Sequence, residues 1–221
     1  MVRIYAVKIP DDFSEEEINR ISLKISSSKR VEINKKIEKM DRLRSICGYL
    51  LLKYVLKKFF NMDFGMVKLK RNAYGKPYFF SEDLNWQGDF NISHSGKWVV
   101  LAVIKCGKIG IDIEEVKPFN PSELEDMSHF IFTVEEREVF LRGFYELQLD
   151  NFYNRWVLLE SYLKMTGEGF YNYIPNGFQG VEKDYYQKFL SIEDGYKLSV
   201  CTMKKELINN ICLIEISELI N

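Results

Sequence analysis

Residues 2–9, Val-Arg-Ile-Tyr-Ala-Val-Lys-Ile, alternate in the manner of a strand. Over residues 13–25 the spacing becomes helical, with Ser14 placed to cap the first turn and Glu15, Glu16 and Glu17 inside it. A Ser26-Ser27-Ser28 break and a basic stretch over residues 29–39 follow. Between residues 41 and 60, Leu43, Ile46, Cys47, Leu50, Leu51, Tyr54 and Val55 recur every three or four positions, which predicts a long amphipathic helix packed on a core. The period then changes. Residues 67–70 and 77–80 predict short strands around an Asn72-Ala73-Tyr74-Gly75 turn. Residues 89–93 enter another strand, Ser95-Gly96 turns the chain, and strands over 98–104 and 109–114 follow. Helical spacing returns at 135–141 and 151–164, and strands at 197–203 and 211–216.

Each half therefore offers an opening strand, a long amphipathic helix and later strands, although no residue-level repeat is legible. The best division falls near Gly107-Lys108, giving lobes 1–107 and 108–221. Charge changes the picture here. Residues 1–110 carry 21 Lys and Arg against 12 Asp and Glu, and residues 111–221 carry 10 against 20. This suits either two lobes attracting one another or a basic lobe that grips phosphates facing an acidic lobe that supplies carboxylates. With 46% hydrophobic and 29% charged residues among 221, a normal core can form, and whole-chain disorder, collagen or coiled coil are excluded. Four isolated cysteines and two histidines indicate neither a disulfide scaffold nor a zinc site. No apolar run reaches the ~18 residues of a membrane span and the N-terminus does not read as a signal peptide, so the expected location is cytoplasmic. Nucleic acid is not an expected partner, because the whole chain is not basic.

Four segments carry candidate chemistry. In Gly110-Ile111-Asp112-Ile113-Glu114, strand alternation puts Asp112 and Glu114 on one face, where a solvated edge or a hard cation such as Mg²⁺ would relieve their repulsion. In Trp156-Val157-Leu158-Leu159-Glu160-Ser161-Tyr162-Leu163-Lys164, helical spacing stacks Trp156, Glu160 and Lys164; this is either a surface ion pair or a ligand or base beside a phosphate clamp. Phe90-Asn91-Ile92-Ser93-His94-Ser95-Gly96 ends a strand with groups suited to anions. Ser93 and His94 face opposite ways, which argues against a nucleophile–base pair. Tyr74-Gly75-Lys76-Pro77-Tyr78 reads as a tight turn that projects Lys76. Walker and Rossmann fingerprints are absent.

Taken in order, Gly75-Lys76-Pro77, Phe90 to Gly96, Gly110 to Glu114 and Trp156-x-x-x-Glu160-x-x-x-Lys164 resemble the Sfp-type 4′-phosphopantetheinyl transferases over about residues 1–170. The resemblance implies an α/β (α+β) pseudo-dimer of two similar lobes, each a small, mainly antiparallel sheet with a long packing helix, and an active site at the lobe interface. It implies Mg²⁺-dependent transfer of phosphopantetheine from coenzyme A to a serine of an acyl or peptidyl carrier protein, releasing adenosine 3′,5′-bisphosphate. By position, Asp112, Glu114 and Glu160 would bind Mg²⁺. Lys29, Arg44, Ser45 and His94 would hold the 3′-phosphate region of coenzyme A. Tyr74, Lys76 and Ser93 would line the adenine and phosphate pocket, and Lys164 would reach the pyrophosphate. Glu160 would take the serine proton, with Glu136 in reserve. Residues 116–132, with Phe119, Met127, Phe130 and Phe132, read equally as a carrier-docking platform or as a partly buried loop and helix, and the internally paired architecture suits a monomer.

Two positions depart from the family: Leu159 and Glu32 stand where lysines are usual, and Lys35 and Lys36 are candidates to compensate. The departures keep open a catalytically weak homologue that binds coenzyme A or a carrier. Also open are a Mg²⁺-dependent nucleotide phosphohydrolase and a non-enzymatic interaction domain.

Overall fold

The computed structural model describes residues 1–64, 68–80, 87–169, 185–203 and 205–220. Strand β1 (Val2–Lys8) is buried along almost its whole length. It is an interior strand, and its backbone groups need a neighbour on each side. β5 (Trp98–Ile104), buried at every residue, pairs antiparallel with it, Val2 opposite Ile104 and Lys8 opposite Trp98. On the other side β9 (Ile208–Leu213) pairs parallel, Ile4 opposite Ile211 and Ala6 opposite Leu213. β4 (Asp89–Ser95) joins β5 to complete the order β4-β5-β1-β9. The C-terminal segment assigned above to the second lobe thus closes the first, because the interior position of β1 demands a second partner.

Helix α3 (Lys39–Phe60) covers one face of this sheet, burying Leu43, Ile46, Leu50 and Leu51 with Tyr5, Val7, Val99 and Leu101. α1 (Glu15–Ser22) and α2 (Ser27–Ile33) start on serine caps, the Ser14 hydroxyl accepting from the Glu17 N–H and Ser26 from the Lys29 N–H. A separate antiparallel hairpin, β2 (Lys68–Arg71) and β3 (Pro77–Phe80), flanks the first sheet.

The second sheet runs β6 (Ile109–Glu115), β8 (Tyr196–Thr202), β7 (Tyr186–Leu190), all antiparallel. Its helix α6 (Tyr145–Thr166) has 22 residues, the same length as α3. α4 (Pro121–Ser128) and α5 (Val134–Leu141) pack against α6 around Leu124, Ile131, Phe140, Phe152 and Tyr153. α7 (Ile216–Ile220) returns to the first core through Leu219. The face of the first sheet turned away from α3 meets the second sheet in a shared core, with Val2, Ile4, Val100 and Ala102 from one and Ile109, Ile111, Ile113 and Val200 from the other. The architecture is mixed α+β with small, mainly antiparallel sheets. No helix among the described residues is long and apolar enough to cross a membrane.

Candidate active site

β4 presents different chemistry on its two sides. Asp89, Asn91, Ser93 and Ser95 all point at β6, and their side chains accept the backbone N–H groups of Ile109 (3.0 Å), Ile111 (3.0 Å), Ile113 (3.4 Å) and Glu115 (3.0 Å). Side chains of one sheet thus satisfy a strand of the other, one rung every second residue, where a backbone ladder would otherwise be required. The alternate residues Phe90, Ile92 and His94 line a cavity of about 290 Å³ on the other side. The polar alternation of this segment therefore has two tasks.

The ladder brings the acidic residues into register. Asp112 is 1% exposed, and its Oδ1 accepts from the Ser93 hydroxyl (2.9 Å) and the Lys164 ammonium (2.5 Å). The Ser95 hydroxyl donates to Glu114 Oε2 (2.8 Å). Lys164 also lies 3.7 Å from Glu160 Oε2, one helical turn earlier on α6. Burial first, then the neighbouring Asp112, pushes the Glu114 carboxyl up to about 7. Glu160 is also raised by burial, against the lowering effect of Lys164. Burial by itself would lower Lys164, but Asp112, Glu160 and Glu114 outweigh it and hold the ammonium charged. Glycine at 110 permits this arrangement, since a Cβ there would fall 1.9 Å from the Ser161 carbonyl oxygen of α6.

Among the described residues, no three acidic, histidine or cysteine side chains are grouped to hold a metal ion, and Lys164 sits between Asp112 and Glu160. One observation does fit a hard cation. Asp112 Oδ2 is buried with no hydrogen-bond partner, beside a second carboxylate whose charge is disfavoured by Asp112 itself. Mg²⁺ commonly takes only one or two protein carboxylates and completes its shell from water and phosphate oxygens.

Lys29, Arg44, Ser45 and His94 all line the 290 Å³ cavity, together with Lys36 and Arg71. Arg44 is fixed by the Gly96 carbonyl (2.8 Å) and Asp41 (2.5 Å), while its buried Nε has no hydrogen-bond partner. Burial, then the Arg44 charge, pulls His94 down to about 4, so at neutral pH its imidazole is uncharged and carries one N–H donor. Glu32 stands at the same cavity and accepts from Lys29 (2.9 Å) and Arg71 (2.9 Å). These bonds hold its carboxyl below the ordinary range, Lys29 contributing most. Of the two compensating lysines considered above, Lys36 lines the cavity; Arg71 was not singled out, although it directly precedes the Asn72 turn.

Other expected site residues lie elsewhere. Ser93 turns from the cavity toward Asp112, Tyr74 is exposed at the hairpin turn, and the Lys76 ammonium binds Asp89, Ile109 and Met165. The Glu136 carboxylate closes the α5 capping box with Thr133 and pairs with Arg155 (2.5 Å). Leu159 is fully buried, so the charge expected at 159 is not missing from the cavity surface. From the proposed docking stretch, Phe119, Met127 and Phe132 pack on the α4–α6 cluster and Phe130 is exposed.

A mixed α+β fold with small sheets, a basic cavity on one side of β4 and paired carboxylates on the other, defines the class of site. Two family models match in tandem, "4′-phosphopantetheinyl transferase, N-terminal" over residues 12–106 and "4′-phosphopantetheinyl transferase superfamily" over residues 108–200. The chain is 29% identical to 4′-phosphopantetheinyl transferase Sfp of Bacillus subtilis (strain 168), over 99% of this chain and all of that one. It is 27% identical to 4′-phosphopantetheinyl transferase gsp of Aneurinibacillus migulanus, over 100% of this chain and 94% of that one. With 4′-phosphopantetheinyl transferase HetI of Nostoc sp. (strain PCC 7120 / SAG 25.82 / UTEX 2576), identity is 29% over 75% of this chain and 69% of that one. The chain belongs to the 4′-phosphopantetheinyl transferase superfamily and is an enzyme of that class.

Proposed function

We propose that this enzyme transfers the 4′-phosphopantetheine group of coenzyme A to a serine of an apo acyl or peptidyl carrier protein, releasing adenosine 3′,5′-bisphosphate, at a site between two pseudo-symmetric lobes. The observation that carries the reading is β4, whose His94 side lines a cavity with Lys29, Arg44 and Ser45 while its Ser93 side holds Asp112 and Lys164. Coenzyme A has a 3′-phosphate at one end of its nucleotide and a pyrophosphate at the other. The first lobe supplies cations for the former, and Lys164 of the second supplies one for the latter.

In the proposed reaction the serine hydroxyl oxygen bonds to the phosphorus that carries the pantetheine arm. The bond from that phosphorus to the bridging oxygen breaks, and the oxygen leaves with the bisphosphate. Glu160 is the proposed acceptor of the serine proton, and Lys164 holds the oxygens of the pyrophosphate against the repulsion of the carboxylates. Of the three carboxylates expected to bind Mg²⁺, Asp112 and Glu114 would hold it, with water and phosphate oxygens completing its shell, while Glu160 stays on the far side of Lys164; the ion would neutralise charge developing on the pyrophosphate. Phe130 is the exposed aromatic of the proposed carrier-docking stretch, and we place the reaction in the cytoplasm with the enzyme as a monomer.

Glu32 favours a weakened grip over a lost activity. Its carboxylate occupies Lys29 and Arg71, which a ligand phosphate would otherwise find free. Both pairs are partly exposed, so each contributes about 1 kcal/mol or less. Glu32→Gln is expected to tighten coenzyme A binding by about fivefold, measured by calorimetry. An unchanged dissociation constant would remove Glu32 as a competitor.

The function itself is tested by incubating the protein with coenzyme A, Mg²⁺ and an apo carrier protein, then weighing the carrier by mass spectrometry. A phosphopantetheine adduct is expected. Bisphosphate release without an adduct would indicate a phosphohydrolase, and neither product would indicate a binding protein.

A further inference from the structure

The turn between β2 and β3 is rigid. Asn72 Oδ1 accepts from the backbone N–H groups of Tyr74 (3.0 Å) and Lys76 (2.9 Å), the Asn72 N–H donates to the Lys76 carbonyl (3.0 Å), and Gly75 takes a φ of +91°. What projects from it is a lysine whose three donors are all used inside the protein. The Lys76 ammonium binds Asp89 Oδ2 (2.5 Å) at the start of β4, the Ile109 carbonyl (3.1 Å) at the start of β6 and the Met165 carbonyl (3.2 Å) at the end of α6. Lys76 and Asp89 side chains are 12% and 13% exposed. Asn72 Nδ2 adds a bond to the Gly167 carbonyl (2.8 Å).

Met165 and Gly167 lie at the end of α6, where carbonyl groups lack intrahelical donors and the helix dipole is negative. The hairpin therefore caps a helix of the other lobe. Gly167 is shaped for this: it adopts a φ of +77°, and a Cβ there would come within 2.9 Å of Lys76 Cδ and 3.0 Å of Asn72 Nδ2. Met165 directly follows Lys164, the residue that meets Asp112 and Ser93. Asp89, the partner of Lys76, is also the first rung of the ladder from β4 to β6. A single ammonium thus ties the ladder that positions Asp112 to the helix turn that positions Lys164.

We infer that Lys76 is a positioning residue, a buried brace that fixes the C-terminal end of α6 on β4 and β6 and so sets the placement of Lys164, and not a phosphate ligand. The inference rests on the transferase reading for its kinetic consequence, but its structural consequence stands apart from that reading. Without the brace the last turn of α6 keeps only the Asn72 bond to Gly167 from the hairpin, while the cavity lined by Arg44 and His94 keeps its residues. A displacement of about 1 Å at a catalytic group is enough to cost on the order of a hundredfold in rate.

The test compares the wild-type protein with Lys76→Met, and with Lys76→Met combined with Asp89→Asn should the single variant leave the buried Asp89 too poorly paired to fold. Amide hydrogen exchange over residues 160–167 is expected to quicken about tenfold or more, since loss of a charged hydrogen bond at a buried site is worth at least that factor. Exchange over residues 43–56 of α3 should stay unchanged. For carrier modification, kcat is expected to fall by about tenfold to a hundredfold, while the dissociation constant of coenzyme A rises by a smaller factor, since only the Lys164 contact to it is disturbed. Unchanged exchange at residues 160–167 would overturn the brace whether or not the wild type modifies a carrier. A tenfold weaker coenzyme A complex with unchanged kcat would overturn it too, and would make Lys76 a ligand contact. A wild type that modifies no carrier while Lys76→Met quickens exchange would remove the transferase reading and leave the brace standing.

Discussion

Asp112→Asn is expected to lower carrier modification by about a thousandfold, a loss at the upper end of what one preorganised charged group contributes. The substitution keeps the size of the side chain and an oxygen for the Ser93 hydroxyl, so the ladder can remain intact. It removes the charge that holds the Lys164 ammonium at 2.5 Å. It also replaces a carboxylate oxygen by an N–H₂ donor, which cannot receive a cation where the buried Oδ2 now stands without a partner. Mg²⁺-dependent tightening of coenzyme A binding should disappear in the same variant, read by calorimetry. Lys164 retains Glu160 at 3.7 Å and is 29% exposed, so the fold should survive. The stability loss is expected near 2 kcal/mol, equivalent to a melting temperature lower by about 4–8 °C. Turnover close to wild type in a folded Asp112→Asn protein would exclude the proposed role.

Local pattern made the long elements legible and left the long-range ones hidden. Helix α3 runs Lys39–Phe60 against an expected 41–60, because its apolar stripe is continuous. α6 extends to Tyr145, six residues before the expected start, since Phe144 gives it no side-chain cap to mark the boundary. The serine break and basic stretch contain α2, which Ser26 caps. α4 was equally readable from Asn120 as cap with Pro121 in the first turn and Glu123 closing the capping box. The C-terminal strand is Ile208–Leu213, earlier than the expected 211–216, and its parallel pairing with β1 has no local signature. Residue 67 of the expected strand 67–70 lies outside the described residues.

At the site, strand alternation correctly put Asp112 and Glu114 on one side of β6, where both meet serines of β4. Alternation equally separates Ser93 from His94, and the two do stand on opposite sides of β4, His94 at the cavity and Ser93 on Asp112. Lys76 projects from its turn as expected, but its acceptors come from residues 13, 33 and 89 positions away. Nothing in the hairpin sequence indicates them. Residues on one element are recoverable from periodicity, whereas the partners of a buried cation depend on how two sheets meet.

Gly110→Ala is expected to be the most damaging glycine-to-alanine change among the described residues for stability. The added Cβ would stand 1.9 Å from the Ser161 carbonyl oxygen, 2.4 Å from the Met165 N and 3.0 Å from the Lys164 carbonyl carbon. All three are backbone atoms, so no rotamer change relieves the clash, and either α6 or β6 must move. Both are anchored. β6 is held by its antiparallel register with β8 and by the side-chain rungs from β4, and α6 by the bonds from Asn72 and Lys76 to its last turn. Overpacking against a rigid backbone contact should cost about 3 kcal/mol or more, the upper end of the usual range. For a chain of this size that corresponds to a melting temperature lower by about 6–12 °C. Because α6 carries Glu160 and Lys164, the strain should reach the site as well, and turnover measured well below the transition should fall with kcat more affected than coenzyme A affinity. Gly75→Ala is the internal comparison: its φ of +91° makes substitution unfavourable, but nothing lies within 4 Å of an added Cβ, so a loss of only about 1 kcal/mol is expected. Equal melting temperatures for the two variants would mean that the close approach of β6 to α6 at Gly110 does not hold the lobe together.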